Sequence, residues 1–321
     1  MFSYVTRRIL ISIPVLLVAS VLVFVFVRAT TDPTTHLRLS RDPMAIQRER
    51  TRLGLDKPLP VQYGNWLHDF VRGRWGESYK TQRSVSSEIR SKLWVTTQVA
   101  FFGVVLSLIV AVGIGVFSAV RQYSTLDYVF TGLSFAGLAM PIFWFALLLI
   151  QFLSYDLQKW LGWDQPLFFS VGLREPSGHV PFGYFRHIAL PVVCLSVQLI
   201  AGWSRYQRAS MLEAMSSEYL RTARAKGVPR HKVVFKHALR NALIPLVNVT
   251  AIDMGALFGG LIITETIFSL PGMGRLLVES LLNGDTAVLL PWLMVTAMFI
   301  IVFNLVADLV VGVLDPRVRL S

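Results

Sequence analysis

The chain has 321 residues, of which 54% are hydrophobic and only 16% charged, with a mean hydropathy of +0.55. A soluble domain of this size rarely reaches such values, whereas a polytopic membrane protein does so routinely. The formal net charge of +12 is gathered in loops beside apolar spans, and no zinc-finger spacing or RNA-binding aromatic motif accompanies it, so nucleic acid is set aside as a partner. Cys194 is the only cysteine, which excludes an intrachain disulfide and a multi-cysteine metal site.

A bilayer core of about 30 Å needs roughly 20 apolar residues of helix. The stretches that qualify are Ile9–Val27, Val95–Val120, Val129–Leu153, Ile188–Trp203, Ala242–Ile267 and Val288–Val313. The first follows Arg7 and Arg8, but its apolar run is too long for a signal core and no small-x-small site follows, so it reads as a retained helix. The segment from Thr30 to Trp94 mixes a charged helical stretch, Met44–Leu53, with Tyr63, Trp66, Phe70 and Trp75, and reads as a small cap or docking surface. Pro141 lacks the donor for its helix ladder and predicts a kink near Met140–Trp144. Tyr155–Arg186 is a second external segment, rich in Gly, Pro and aromatics. The organisation expected is therefore a first helix over 1–29, an extracytoplasmic region over 30–94, a five-helix core over 95–313 and a tail over 314–321.

Basic residues in the short loops orient the chain. Arg7, Arg8, Arg121, the cluster from Arg205 to Arg240, Arg317 and Arg319 all fall on one side of six crossings, placing both termini in the cytoplasm. The basic loop after the first span exceeds 60 residues, a length at which translocation largely ignores charge.

Between spans four and five lies EYLRTARAKGVPRHKVVFKHALRNAL, Glu218 to Leu243. Ser216 or Ser217 suits a helix cap, and the Glu218 carboxylate suits the positive helix N-terminus. Tyr219, Leu220 and Ala223 are spaced to share a side, Arg224 and Lys226 occupy the last turn, and Gly227 with Pro229 stops the helix after about ten residues. Arg230–Asn241 reads as a second helix leading into span five. Two roles fit such an element: a rigid helix that docks into a soluble partner, or an interfacial helix resting on anionic lipid.

The loop resembles the coupling region of ABC-importer permeases, in the form typical of peptide-permease B-type subunits. Gly227 and Ala223 match the glycine and second alanine of the family's EAA-x3-G loop, while Arg221 and Thr222 replace its first two letters. GLDKPLPVQYGNWL (Gly54–Leu67), GRWGES (Gly73–Ser78), Leu190–Met215, ETIFSLPGMGRLLVESL (Glu265–Leu281) and LDPRVR (Leu314–Arg319) extend the resemblance over most of the chain. The resemblance implies an all-α type I importer-permease fold in a bacterial cytoplasmic membrane. It implies ATPase coupling through Glu218, Tyr219, Arg221, Thr222, Ala223, Arg224, Lys226 and Gly227. It further implies a heterodimer with a second homologous permease and either two ATPase subunits or one fused ATPase with two nucleotide-binding domains. An extracytoplasmic binding protein would deliver peptide, oligopeptides foremost. No cofactor is expected in this chain; ATP and Mg would be bound by the ATPase partners.

Asp253 falls inside span five, where a carboxylate costs about 2.5–3.5 kcal/mol on the insertion scale. It either lines the pathway or bonds a neighbouring helix, if it is not simply protonated. Gly255-x-x-x-Gly259 permits close helix approach, to the partner permease or within this chain. Glu265 opens a segment with Phe268, Pro271, Gly272 and Gly274 that cannot continue as regular helix. It reads either as a re-entrant scoop over 265–287 at the external mouth or as a surface turn, and the resemblance favours the scoop.

No G-x-x-x-x-G-K-[ST] loop, H-E-x-x-H pair or G-x-S-x-G elbow is present, so the chain is expected to be neither the ATPase nor an enzyme by itself, and no metal site is expected. His231 and His237 lie in the coupling region and read as surface or docking groups. The rival reading is a secondary transporter or channel with Asp253 and Glu265 as ion-coupling groups.

Overall fold

The computed structural model describes residues 2–34, 37, 44–173 and 183–314. The tail beyond Leu314, with Arg317 and Arg319, lies outside these residues, as does part of the Tyr155–Arg186 segment. The order is α1 Phe2–Thr30, α2 Ala45–Arg52, α3 Leu59–Val71, α4 Val85–Val120, α5 Thr125–Ala139 and α6 Ile142–Leu149. A π-helical stretch, Ile150–Asp156, joins α6 to α7 Leu157–Leu161. Then come α8 Gly183–Ser216, α9 Glu218–Ala225, α10 Arg230–Lys232, a second π-helical stretch Val233–Ala238, α11 Leu239–Gly260, α12 Ile262–Ile267, α13 Met273–Leu282 and α14 Thr286–Leu314. Among the described residues there is no strand, only an isolated bridge between Glu77 and Ser84.

Among the described residues four helices are long and apolar enough to cross a bilayer, α1, α4, α8 and α14, and a fifth crossing results if α5 and α6–α7 form one broken span. The fifth predicted span falls on the 22 residues of α11, about 33 Å of helix. Three expectations change. The predicted third span is bent by 106° at Met140–Pro141, where a kink was expected, and the bend breaks the helix in two because Met140 adopts an extended conformation before the proline. The predicted fourth span, thought the shortest, belongs to a 34-residue helix that runs through Pro191 and on to Ser216, beyond the predicted end of the span. The predicted fifth span ends at Gly260, and Leu261 turns the chain into the separate helix α12.

The centre of the fold is the α4–α8 pair. A β-carbon placed on Gly103 would stand 2.6 Å from Leu195 Cδ2, and one on Gly115 would stand 2.6 Å from Gln207 Cβ. Glycine at these positions sets how closely the helices approach. Ser196 Oγ then donates across the interface to Gly103 O at 3.1 Å. Around this seam Val99, Ala100, Leu190, Cys194 and Leu195 bury against Phe268 and Leu270 from the outer turn.

The segment between α1 and α4 folds onto the helix ends. Tyr63 OH meets Ser20 Oγ at 2.7 Å, and the rings of Phe24, Trp66, Phe70 and Trp75 continue the contact from α1 along α3. Ser78 Oγ donates to Asp285 Oδ2 at 2.6 Å, joining the turn before α4 to the start of α14.

Candidate functional site: the loop between α8 and α11 and the turn after α12

α8 carries the chain past the predicted span and delivers α9. Ser217 stands at the N-cap in an extended conformation but makes no side-chain cap. Its Oγ donates back to Ala214 O at 2.5 Å, and Ser216 Oγ donates to Glu213 O at 2.8 Å. This corrects the capping expectation: both hydroxyls satisfy the end of α8 instead of the start of α9. The helix has eight residues, about 12 Å, and not ten. Gly227, at φ +75, closes it, with its amide donating to Arg224 O at 3.0 Å. No atom lies within 4 Å of where a β-carbon would stand, so within this chain the glycine answers a backbone demand and not a lack of room.

Tyr219, Leu220 and Ala223 do not share one buried side. Leu220 alone is fully buried, packed with Val116, Met211, Val233, Val234 and Ala238. Tyr219 is exposed, its hydroxyl accepting from Asn241 Nδ2 at 2.8 Å, and Ala223 is half-buried. The outward surface is then made by Glu218, Tyr219, Arg221, Thr222, Arg224, Lys226 and Gly227. The Glu218–Arg221 pair at 2.9 Å is solvent-exposed on both sides and adds little stability. Arg224 Nη2 donates to Met215 O at 3.1 Å. α9 is thus a short cationic helix anchored by one leucine on the ends of α4, α8 and the α10–α11 run.

Sequence reasoning missed a buried ion pair two turns before this helix. Arg208 Nε and Nη2 fork onto Asp127 Oδ1 and Oδ2 at 2.7 and 2.8 Å, and Tyr123 N donates to Oδ2 at 2.9 Å. Asp127 is 2% exposed. The pair ties the first turn of α5 to α8. The available signal was Ser124 three residues before an acid at a span edge: Ser124 Oγ accepts from Asp127 N at 3.3 Å.

Near the other end of α4, Glu265 in α12 is completely buried. Thr96 Oγ1 donates to its Oε1 at 2.5 Å, and the amides of Gly274 and Arg275 donate to Oε2 at 2.7 and 3.1 Å. Met273 N donates in turn to Thr96 Oγ1 at 2.8 Å. A carboxylate at the amide end of a helix is favourably placed, so Glu265 pins the start of α13 to α4. Gly272 is required here: a β-carbon on it would lie 2.1 Å from Glu265 Oε1. Phe268 is 1% exposed and its carbonyl accepts from Gly172 N at 3.0 Å, while Pro271 is half-buried in the turn. Further along α13, Glu279 accepts from Arg275 Nε at 2.8 Å and lies 3.3 Å from Lys80 Nζ. Partial burial works against its ionised form, but the two cations outweigh that and hold its carboxyl below the usual glutamate range.

Asp253 is half-buried and accepts a hydrogen bond from Trp203 Nε1 of α8 at 2.7 Å. Gly255 faces Ile300 of α14, 3.5 Å from the would-be β-carbon; the side of the helix at Gly259 lies outside the described residues. The structure therefore brings Glu265, Gly272 and Phe268 together and leaves Asp253 apart from them. Among the described residues no group of three or more His, Cys, Asp or Glu side chains is placed to hold a metal ion.

Residues 111–320 match the model of the binding-protein-dependent transport system inner membrane component family. Residues 1–100 match the model of the N-terminal part of that system's membrane component. The chain belongs to this family. As a family permease it is a multi-pass membrane protein of the all-α importer-permease class, and the family as a whole works with an ATPase, a second permease and a binding protein. It is 38% identical over 328 residues to the oligopeptide transport system permease protein AppB of Bacillus subtilis, covering 99% of this chain and 100% of AppB. It is 33% identical over 336 residues to the dipeptide transport system permease protein DppB of Escherichia coli K12, covering 99% of each. Among solved structures, the MetNI methionine ABC transporter in inward-facing conformations aligns with a TM-score of 0.49 at 19% identity, over 78% of this chain and 98% of that one.

Proposed function

We propose that this permease forms, with a second homologous permease, the translocation pathway of an ATP-driven peptide importer, oligopeptides being the principal cargo. The names of its relatives support the cargo, and the geometry of α9 supports the coupling. ATP and Mg bind to two ATPase subunits, or to one fused ATPase, docked on the cytoplasmic side where both termini lie. A binding protein delivers peptide to the extracytoplasmic face.

The observation that carries this reading is the construction of α9: eight residues, one buried anchor at Leu220, and a solvent-facing cationic surface. A push on that surface passes through Leu220 to the ends of α4 and α8 and through the Arg208–Asp127 pair to α5. Rigid rotation of these helices would alternate access, with hydrolysis resetting them. Glu265 is a poor ion-coupling group, because its oxygens already accept from Thr96, Gly274 and Arg275. The test is co-purification of the tagged chain from its native membrane in mild detergent, beside Gly227→Trp. A P-loop ATPase and a second permease are expected with the wild type, and the bulky variant is expected to lose the ATPase. A wild-type chain that emerges alone contradicts the proposal.

A further inference from the structure

Apart from the loop and the outer turn, the fold holds two neighbouring cavities beside α1 and α14. α1 packs on α14, and a slot of about 640 Å³ opens between α1, α3, the outer end of α4 and α14. Its lining is almost wholly apolar, Leu17, Leu93 and Met294 among it, with exposed Arg90 as its one cation. A second, polar cavity of about 570 Å³ lies under α2 and α3, at the outer ends of α1 and α14. Phe70 and Trp75 line both spaces, their rings stacked at 5.3 Å and 7°, and form the common wall.

The cations of the polar cavity are unequal. Arg52 forks onto Glu49 at 2.8 and 2.6 Å, and Arg74 pairs with Asp69 at 2.7 Å. Arg28, in the last turn of α1, has no acidic partner of this kind among the described residues. Its Nε and Nη1 are out of solvent and make no hydrogen bond, and its guanidinium lies 5.4 Å from the centre of the Phe24 ring. Leaving such donors unsatisfied is costly, and the fork of an arginine matches phosphate oxygens.

We propose that an anionic phospholipid occupies this pair of spaces. One acyl chain fills the slot and passes beside the Phe70–Trp75 wall, the phosphate meets Arg28 in the polar cavity, and Arg90 on the slot side adds attraction at longer range. The outward residues of α1, such as Leu10, Leu22 and Phe26, are apolar and more than half exposed, so the slot borders hydrocarbon. Arg28, at the end of the span, stands at headgroup level, where long basic side chains reach the interface. A soluble anion would leave the slot empty, and a neutral amphiphile would leave the guanidinium unsatisfied.

The test uses the full-length chain with the subunits that purify with it, reconstituted in nanodiscs of phosphatidylglycerol or of phosphatidylcholine, with retained lipid counted by native mass spectrometry. Wild type is expected to retain phosphatidylglycerol about tenfold over phosphatidylcholine, whose choline cation competes with Arg28 for the same phosphate and cancels its net charge. The Arg28→Gln, Arg90→Gln double variant is expected to lose the preference, and Leu17→Trp, which fills the slot, to lose retention of either lipid. Unchanged melting temperature and subunit content establish that the variants fold. Should the double variant fail to assemble, Arg28→Lys keeps the charge but not the fork and is expected to lower the preference. Equal retention of both lipids by wild type, or a preference unmoved by these arginine variants, overturns the proposal. So does displacement of the lipid by glycerol 3-phosphate with Leu17→Trp behaving as wild type, because the cavity then takes only a small anion.

Discussion

Arg208 of α8 grips Asp127 of α5 with two hydrogen bonds of 2.7 and 2.8 Å, about two turns of helix inside the point where α8 hands over to α9. The acid is almost wholly buried while the arginine side chain is 27% exposed. Breaking such a pair by removing one partner costs about 3–5 kcal/mol, and partial exposure of Arg208 places this one toward the lower end. Asp127→Ala is therefore expected to lower the melting temperature of the purified transporter. Asp127→Asn keeps the shape but not the charge and is expected to cut peptide uptake while the ATPase still co-purifies. Uptake at the wild-type level in Asp127→Asn would show that the pair transmits nothing.

Leu220 is the only fully buried side chain of α9. Truncation to alanine removes its packing against Met211, Val233 and Ala238, a change that typically costs about 2–5 kcal/mol in a core. The expected outcome is protease sensitivity at the loop and ATP hydrolysis no longer stimulated by substrate. Tyr219→Phe, which loses only an exposed hydrogen bond, is expected to change protease sensitivity little.

Two glycines make a differential prediction. At Gly272 an added methyl group meets the Glu265 carboxylate, whereas at Gly227 it meets open space but a left-handed backbone. Gly272→Ala is expected to displace α13 and lower the melting temperature by more than Gly227→Ala, whose penalty within this chain is about 1 kcal/mol from the backbone alone. Thermal unfolding of the two variants side by side reads the difference directly.

The Glu265 carboxylate takes three hydrogen bonds, two of them from the amides that begin α13. Glu265→Gln keeps the volume but offers one acceptor oxygen and an amide that faces donors, leaving buried groups unsatisfied at about 1–3 kcal/mol. Faster amide exchange at Gly274 and Arg275 is expected in that variant, and unchanged exchange would mean that Glu265 does not hold the helix start.

Glu279 offers a pH test. Its carboxyl is held below the ordinary range by Arg275 and Lys80 against partial burial. A depressed folded-state value gives stability that is present above the unfolded value and is lost as pH falls through the folded one. Acidification from neutral to below the usual glutamate range is expected to loosen the α13 contact with Lys80, and Glu279→Gln should remove that part of the pH dependence. Hydrogen exchange over α13 at several pH values measures it.

The spans were legible because lipid demands long apolar runs, and the break at Pro141 because proline removes a donor. The size of the bend was not, since 106° depends on what α6 packs against. The end of α9 at Gly227 could be read from one residue's backbone preference. The failure of Ser216 and Ser217 to cap could not, because each hydroxyl had two equally local acceptors to choose between. Asp127 and Arg208 lie 81 positions apart, and nothing in either neighbourhood names the other. Glu265 stood out as an acid at membrane depth, yet its partners Thr96 and the amides of α13 come from the approach of α4 to the outer turn.

The central claim is that the outward surface of α9 meets an ATPase and not lipid. A photo-reactive residue placed at Thr222, in the assembled transporter in its own membrane, tests it most directly. The account predicts a covalent adduct with an ATPase subunit whose yield changes when ATP is bound. An adduct with lipid alone, insensitive to nucleotide, would contradict it.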